Sequence, residues 1–499
     1  MRKEFQRVTP ESVGIPSGAI ERLLDKLESG FTEPHGLMIM RHGKICTEGW
    51  WAPYAPGLRH GLQSLSKTYS ATAVGIACTE GLVKLEDRLI DIFPEESPTE
   101  PSENLKQLTV RDVLCMGCGM DTMPAPSREW IRDFLATPVV HEPGTTYMYN
   151  SVGSTMLCAI VRRVAGMSVH EYLTPRLYEK IGIDPENVGY MHMPDGTEVG
   201  GGGFYTTTED NLRLMKLYAD GGVWEGQRIL SADYVAKATS VQNESATEAK
   251  GNPEAKDNFV GYGFQIWMCR PKGVYRADGA MGQFSIVVPD RDMIISINET
   301  ATGAHWAQKS LDVIWEFLDE IAGDEAMPED AEASGKLCAR MGSLALAAPR
   351  FAPHSPLEKE ISGRLYQVEK GRLSWHKKSW MNGWEGPGGF ARFSLEFLPG
   401  YCLLRYVQDG REKAVEIATD GTRRMNRAPE PGSPISRLCL HGWWSKEDTF
   451  TVAARWVETC FEDLFHFAFS GDRAEVTREV SVGGFGPQDQ DGPVVAKRV

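Results

Sequence analysis

The sequence predicts an α+β protein in two parts. An antiparallel sheet flanked by helices, with a helical subdomain inserted, comes first; an antiparallel β barrel or sandwich follows. Strand-like runs stand at both ends of the first two-thirds of the chain, with helical patterns between them. An acidic, small-residue break, GDEAMPEDAEASG, follows at 323–335. Beyond residue 355, short strand-like runs recur between turn residues. A length of 499 residues exceeds what one hydrophobic core usually organises. The expected boundaries are 1–325 for the first domain, 326–354 for a linker and 355–499 for the second domain.

Each element has a local reason. Residues 15–29 place Ile20, Leu23, Leu24 and Leu27 on one side of a helix. GLMIMRHGKICTEGWW reads as two strands around a turn at Arg41–Lys44. Small residues from Ser64 to about Glu80 predict a helix able to pack closely. Residues 84–240 read as helices separated by Pro- and Gly-containing loops. Strand character returns over 259–299 in NFVGYGFQIWM, GQFSIVVP and DMIISINET. The run WAQKSLDVIWEFLDEIAG then predicts a covering helix. Eight strand-like runs, from ISGRLYQV to RAEVTREV, make the second part a barrel or sandwich.

Composition narrows the function. Hydrophobic residues are 41% and charged residues 24% of a chain whose formal net charge is −15, with no long basic block. Nucleic acid and anionic membranes attract positive surfaces, so neither is expected as the main partner. No apolar core follows the first charges, as a secretory signal requires, and no apolar run is long enough to span a bilayer. Ten cysteines are scattered, with only Cys115 and Cys118 close together, so a reduced, cytoplasmic protein is expected. That cysteine pair lacks a second ligand pair, and the eleven histidines contain no His-Glu-x-x-His, so neither metal nor cofactor is expected. No Gly-x-Ser-x-Gly elbow occurs. The glycines at 200–203 lack a following Gly-Lys-Ser/Thr, which leaves them as a flexible loop beside a cleft. Trp50, Trp51 and Trp267 are read as core aromatics before pocket residues.

The chemistry centres on Ser64-Leu-Ser-Lys67. Residues three apart on a helix share a face, so the Ser64 hydroxyl and the Lys67 amine can meet. A serine needs a neighbour to take its proton, and a lysine does this only when desolvation or nearby positive charge lowers its pKa. A second match, Ser374-Trp-His-Lys377, lies in the β-rich part. Strand alternation there sends its ends to opposite faces, so it reads as structural.

Two further segments accompany Ser64. EPGTTYMYNS, at 142–151, precedes an apolar helical run, and YRADGAMGQF, at 275–284, leads into the strand SIVVP. In this order the three segments resemble the serine β-lactamase and penicillin-binding-protein superfamily. The resemblance is strongest to its class C and esterase-like branch, with D-aminopeptidases and 6-aminohexanoate-dimer hydrolases, and covers roughly residues 8–320. It implies a β-lactamase-like first domain and two-step acyl transfer. Ser64 is then the nucleophile, Lys67 its partner, and Tyr149 the phenol that shuttles protons. The backbone N–H groups of Ser64 and Gln283 form the oxyanion hole, and Gly282 lets the edge strand approach the substrate. Whether Lys67 or Tyr149 is the base stays open. Ser151, Tyr262, Trp267 and Arg276 are candidates for the substrate pocket.

The motifs also depart from the family. Its second motif is commonly Tyr-x-Asn, whereas Asn150 comes early here and Ser151 takes the third position. The third motif usually opens with a cation that binds a substrate carboxylate, and Ala280-Met281-Gly282 has none; Arg276 or Lys272 is the nearest substitute. An ester or amide of a small acyl or peptide-like compound therefore ranks first as substrate. β-Lactams or D-amino-acid peptides rank second, and a silent binding or sensor module on the same fold is the reading of another class. The resemblance further implies that the second domain caps the cleft or mediates self-association.

Overall fold

The computed structural model describes residues 4–243, 253–301, 307–321, 323–352, 354–379, 381–480 and 492–499. It divides into two compact units at Leu344/Ala345. In the first unit the sheet strands are β1 (Thr32–Arg41), β2 (Lys44–Trp50), β3 (Trp267–Met268), β4 (Tyr275–Gly279), β5 (Gln283–Val288) and β6 (Met293–Ala301). They run antiparallel in the order β2-β1-β6-β5-β4-β3. The helices that frame them are α1 (Ser17–Leu27), α2 (Ser66–Thr79), α3 (Ser151–Ala165), α4 (Thr208–Ala219), α5 (Gln308–Asp319) and α6 (Ala331–Gly342). The turn between β1 and β2 puts His42 and Gly43 at φ +52° and +69°. Two successive left-handed residues match the twist of a tight hairpin.

Helix α2 is buried from Ser66 to Ala77, so its small residues serve a helix enclosed on all sides. It packs against α3, and α4 lies on β5, β6 and β1. Helix α4 begins at a reciprocal cap between Thr207 and Asp210, and α3 begins at Asn150, whose side chain accepts from the Gly153 N–H at 2.7 Å.

Two expectations shift here. The stretch NFVGYGFQIWM forms a strand only at Trp267–Met268. Gly261 and Gln265 take φ +133° and +56°, which interrupts extended pairing. The predicted linker at 326–354 carries α6, a helix that buries only Leu337. Charge holds it in place: the Arg340 guanidinium lies 2.6 Å from Glu21, 2.8 Å from Asp25 and 2.8 Å from Glu28 of α1. The covering helix is α5; residues 306 and 322 of its predicted span lie outside the described residues.

The second unit is a barrel. Its strands are β7 (Leu365–Lys370), β8 (Phe390–Leu398), β9 (Tyr401–Gln408), β10 (Arg411–Ala418), β11 (Arg424–Arg427), β12 (Arg437–Lys446), β13 (Thr449–Trp456), β14 (Phe461–Ser470), β15 (Arg473–Val480) and β16 (Val494–Arg498). The order is β10-β9-β8-β7-β16-β15-β14-β13-β12-β11, and a bridge between Ala418 and His441 joins β10 to β12. Nine strands thereby close, with β11 as a flap on β12. Alternate side chains, including Phe393, Leu404, Phe450, Val452 and Phe467, are fully buried together as the barrel's core. The Ser374–Lys377 segment is irregular rather than a strand, which corrects the reason given for setting it aside.

Candidate active site

Ser64 sits in a single 3-10 turn, Gln63–Leu65, that runs into α2. Lys67 follows one turn later, and its Nζ donates to the Ser64 Oγ at 3.0 Å. The same amine donates to the Ser151 Oγ at 3.2 Å and to the Gly201 carbonyl at 2.5 Å. Lys67 is 1% exposed. Burial pushes its ammonium down to about 7 from the usual 10.5, against the smaller opposing pull of the Asp278 carboxylate.

The Lys67 Nζ also lies 4.7 Å from the centre of the Tyr149 ring. Tyr149 stacks on Trp267 at 6.2 Å and 18°. Behind them stand Tyr262, edge-on to Trp267 at 4.7 Å, and Tyr147, 5.6 Å from Tyr262. Of the two neighbouring tyrosines, Tyr149 is the one beside the amine. Ser151 occupies the position expected of it at the start of α3. Asn150 is wholly buried as that helix's cap.

Several predicted roles change. Arg276 is 1% exposed and spends its donors internally. Its Nε donates to Asp278 at 2.7 Å, and its terminal nitrogens donate to Asn258, the Met268 and Asp257 carbonyls and the Cys269 sulfur. It is a structural arginine, not a ligand for a substrate carboxylate. Lys272 is exposed in the turn before β4, about 20 Å of strand from Gly279. Tyr262 is 1% exposed and forms the inner layer of the aromatic wall, with Trp267 over it.

Gln283 opens β5, which lies between β4 and β6, so its backbone N–H is enclosed in the sheet rather than turned to the cleft. Its side chain donates to the Glu299 carbonyl at 2.7 Å and accepts from Asn298 at 3.0 Å. The strand that borders the Ser64 turn is β4: a Cβ on Gly279 would meet the Leu62 carbonyl at 2.1 Å. The backbone N–H groups of Ser64 and Ala280 have no hydrogen-bond partner among the described residues. The glycine at 282, at φ +90°, answers to a group beneath the turn, because a Cβ there would meet the Glu299 Oε1 at 2.0 Å.

Sequence reasoning missed two participants. Gly201 supplies a carbonyl to Lys67, and the Gly200–Gly203 run is a packed layer rather than a flexible loop. A Cβ on Gly201 would meet the Ser151 carbonyl at 2.3 Å, and one on Gly200 would meet Ser70 at 2.5 Å and Cys158 at 2.6 Å. Four glycines in a row between two helices were the available signal. Asp278 is the second, a carboxylate one residue before the glycine that meets the Ser64 turn. No group of three or more His, Cys, Asp or Glu able to hold a metal occurs among the described residues.

Comparison with known proteins agrees with this architecture. The family model described as Beta-lactamase matches residues 24–312. The 6-aminohexanoate-dimer hydrolase of Paenarthrobacter ureafaciens is 24% identical over 310 residues, covering 58% of this chain and 78% of that protein. Among solved structures, a candidate 6-aminohexanoate-dimer hydrolase from Bacillus anthracis superimposes with a TM-score of 0.52 at 18% identity, covering 64% of this chain and 87% of that one. A candidate β-lactamase from Bacteroides dorei gives 0.50 at 14% identity, covering 61% and 98%. With more than half of its length matched by that model, the chain belongs to the Beta-lactamase family, and the named relatives and structural neighbours are hydrolases.

Proposed function

We propose that this protein is a serine hydrolase that transfers an acyl group from an ester or amide to Ser64 and then to water. The observation that carries the reading is Lys67: a buried amine held near a pKa of 7, 3.0 Å from the Ser64 hydroxyl. At neutral pH a large fraction of such an amine is uncharged and accepts the Ser64 proton as the oxygen attacks a carbonyl carbon. The Ser64–acyl bond forms while the carbonyl oxygen takes up negative charge. The unpartnered N–H groups of Ser64 and Ala280 are suited to receive it, and Ala280 takes the role first given to Gln283. The tetrahedral centre then collapses and the leaving group departs with a proton that Lys67 returns, Tyr149 lying beside the amine as the route. Water, relieved of a proton by the same amine, releases the acyl group.

A small acyl ester or amide fits better than a β-lactam or a D-amino-acid peptide. A β-lactam and a peptide cut beside its C-terminal D-residue both carry a carboxylate near the reacting carbonyl, and Arg276, the nearest candidate cation, is consumed inside the fold. All ten cysteines are free thiols, which supports a reducing, cytoplasmic setting. Fluorophosphonate labelling tests the reading, followed by a panel of p-nitrophenyl esters, D-amino-acid amides and nitrocefin. Labelling at Ser64 that disappears in Ser64→Ala, with turnover of at least one substrate, is expected. Equal labelling of both proteins would defeat it, and labelling without any turnover would favour a silent binding module.

A further inference from the structure

We infer that Asp278 is a specificity residue that directs this site toward substrates bearing a positive charge near the scissile carbonyl, and away from those bearing a carboxylate. The inference rests on the acyl-transfer reading above and deepens it.

Placement comes first. Along β4, Tyr275, Ala277 and Gly279 alternate with Arg276 and Asp278, so the last two share a face of the sheet. Arg276 lies over the Trp267 ring at 5.7 Å, and Trp267 stacks with Tyr149. The face that carries Asp278 is therefore the one on which Trp267 and, through it, Tyr149 pack. The residue after it, Gly279, abuts the turn that holds Ser64. Asp278 stands one position from the residue at which the strand abuts that turn.

Chemistry comes second. The Asp278 side chain keeps 19% of its surface exposed, whereas its partner Arg276 keeps 1%. Only Oδ2 is bound, accepting from the Arg276 Nε at 2.7 Å, and Oδ1 has no hydrogen-bond partner among the described residues. The pair is thus lopsided: its cation is walled in, and its anion presents an open acceptor. The same carboxylate acts through space on Lys67 and Tyr262, consistent with its place at the cleft. A substrate carboxylate brought there meets like charge, while an ammonium meets an acceptor.

The test uses two isosteric series on the full-length protein. In the first the charge sits on the acyl arm: β-alanyl, butanoyl and succinyl p-nitrophenyl esters. In the second it sits on the leaving arm: acetylthiocholine, 3,3-dimethylbutyl thioacetate and S-acetyl-3-mercaptopropionate. In at least one series kcat/KM is expected to favour the cation over the anion by about tenfold or more. That ratio is expected to shrink as sodium chloride rises from about 0.05 to about 0.5 M, as an exposed charge is screened. Asp278→Asn, whose amide oxygen still accepts from Arg276, is expected to cut the ratio at least about fivefold. Should the variant fail to fold, the wild-type ratio and its salt dependence decide. Equal or better use of the anion in both series, or a ratio indifferent to salt and to Asp278→Asn, overturns the inference while turnover of the neutral compounds keeps the hydrolase reading. No reaction at Ser64 with any compound, together with no fluorophosphonate labelling, overturns both.

Discussion

Two stretches of this chain share the spacing Ser-x-x-Lys, and they are built in opposite ways. At Ser64–Lys67 the pattern spans the junction of a 3-10 turn and α2, and one turn brings hydroxyl and amine to 3.0 Å. The amine's hydrogen-bond partners are all neutral: two serine hydroxyls and the Gly201 carbonyl. At Ser374–Lys377 the backbone is irregular. The Ser374 hydroxyl accepts from the His376 N–H and the Gln408 amide at 3.3 Å each, and the Lys377 ammonium lies 3.2 Å from the Asp463 carboxylate. A contacting carboxylate favours the charged amine, and burial among neutral acceptors favours the uncharged one. Spacing brings a serine and a lysine within reach; the absence of a contacting anion makes the lysine a base.

The sharpest way to break this comparison is to remove each member in turn. Ser64→Ala is expected to abolish fluorophosphonate labelling and to lower kcat by roughly a thousandfold or more. Lys67→Arg is expected to do the same, because a guanidinium does not release its proton at working pH. Ser374→Ala is expected to keep turnover within about twofold of wild type, and Lys377→Ala to cost about 0.5 kcal/mol in urea unfolding, in keeping with a partly exposed ion pair. Comparable loss of turnover at Ser374 and at Ser64 would end the distinction.

Gly201 supplies to Lys67 what Lys377 lacks, a neutral acceptor in place of a carboxylate. Gly201→Ala places a methyl group against the Ser151 carbonyl, which a Cβ would meet at 2.3 Å. The backbone must move, and the Lys67 anchor moves with it. A loss of roughly ten- to a hundredfold in kcat is expected, with a fall in melting temperature read by calorimetry. Wild-type kinetics in this variant would mean that the carbonyl contact does not set the amine.

A smaller effect is the pH profile. Lys67 titrates near 7 in the folded protein and near 10.5 when unfolded. The rate with a neutral ester should rise roughly tenfold from about pH 6 to pH 8 and then level off. Between pH 7 and 10.5 the unfolded chain binds this proton and the folded one does not, so this group's contribution to stability rises with pH there. Below 7 its cost is constant. Lys67→Met should thus raise the melting temperature at pH 7 while removing turnover. A flat profile from pH 6 to 8 would remove Lys67 as the base.

Much of this was legible where the signal is local. The β1–β2 hairpin shows in its turn, α2 in its small residues, and the Ser64–Lys67 contact in a three-residue spacing. The barrel strands show in alternation, although β16, which lies between β7 and β15, buries only Val494 and Ala496 and left too short a pattern to notice. What stayed hidden depends on register or on charge. That Gln283 is enclosed and β4 exposed to the site follows from strand order, which no local window contains. That Arg276 is spent inside the fold depends on Asn258 and Asp257, far off in sequence. Helix α6 was hidden because an arginine and three carboxylates hold it, not an apolar stripe.

The site also holds a buried acid whose shift runs the opposite way to that of Lys67. Glu299 is fully buried beneath Gly282, accepting from the Ser310 hydroxyl at 2.5 Å, and burial pushes its carboxyl up to about 8. Lys67 and Glu299 are thus both driven toward neutrality, one by losing a proton and the other by keeping it. The sign for stability follows. Between pH 4.5 and about 8 the unfolded chain gives up the Glu299 proton and the folded protein retains it, so this group's contribution falls as pH rises through that window. Glu299→Gln stays neutral throughout and should flatten the decline. Its advantage should be near zero at pH 4.5 and reach roughly 1–3 kcal/mol at pH 8 in urea unfolding. A variant less stable than wild type at pH 8, or one whose advantage is the same at both pH values, would show that Glu299 is held as a charge, and the turn at Gly282 would then rest on a carboxylate.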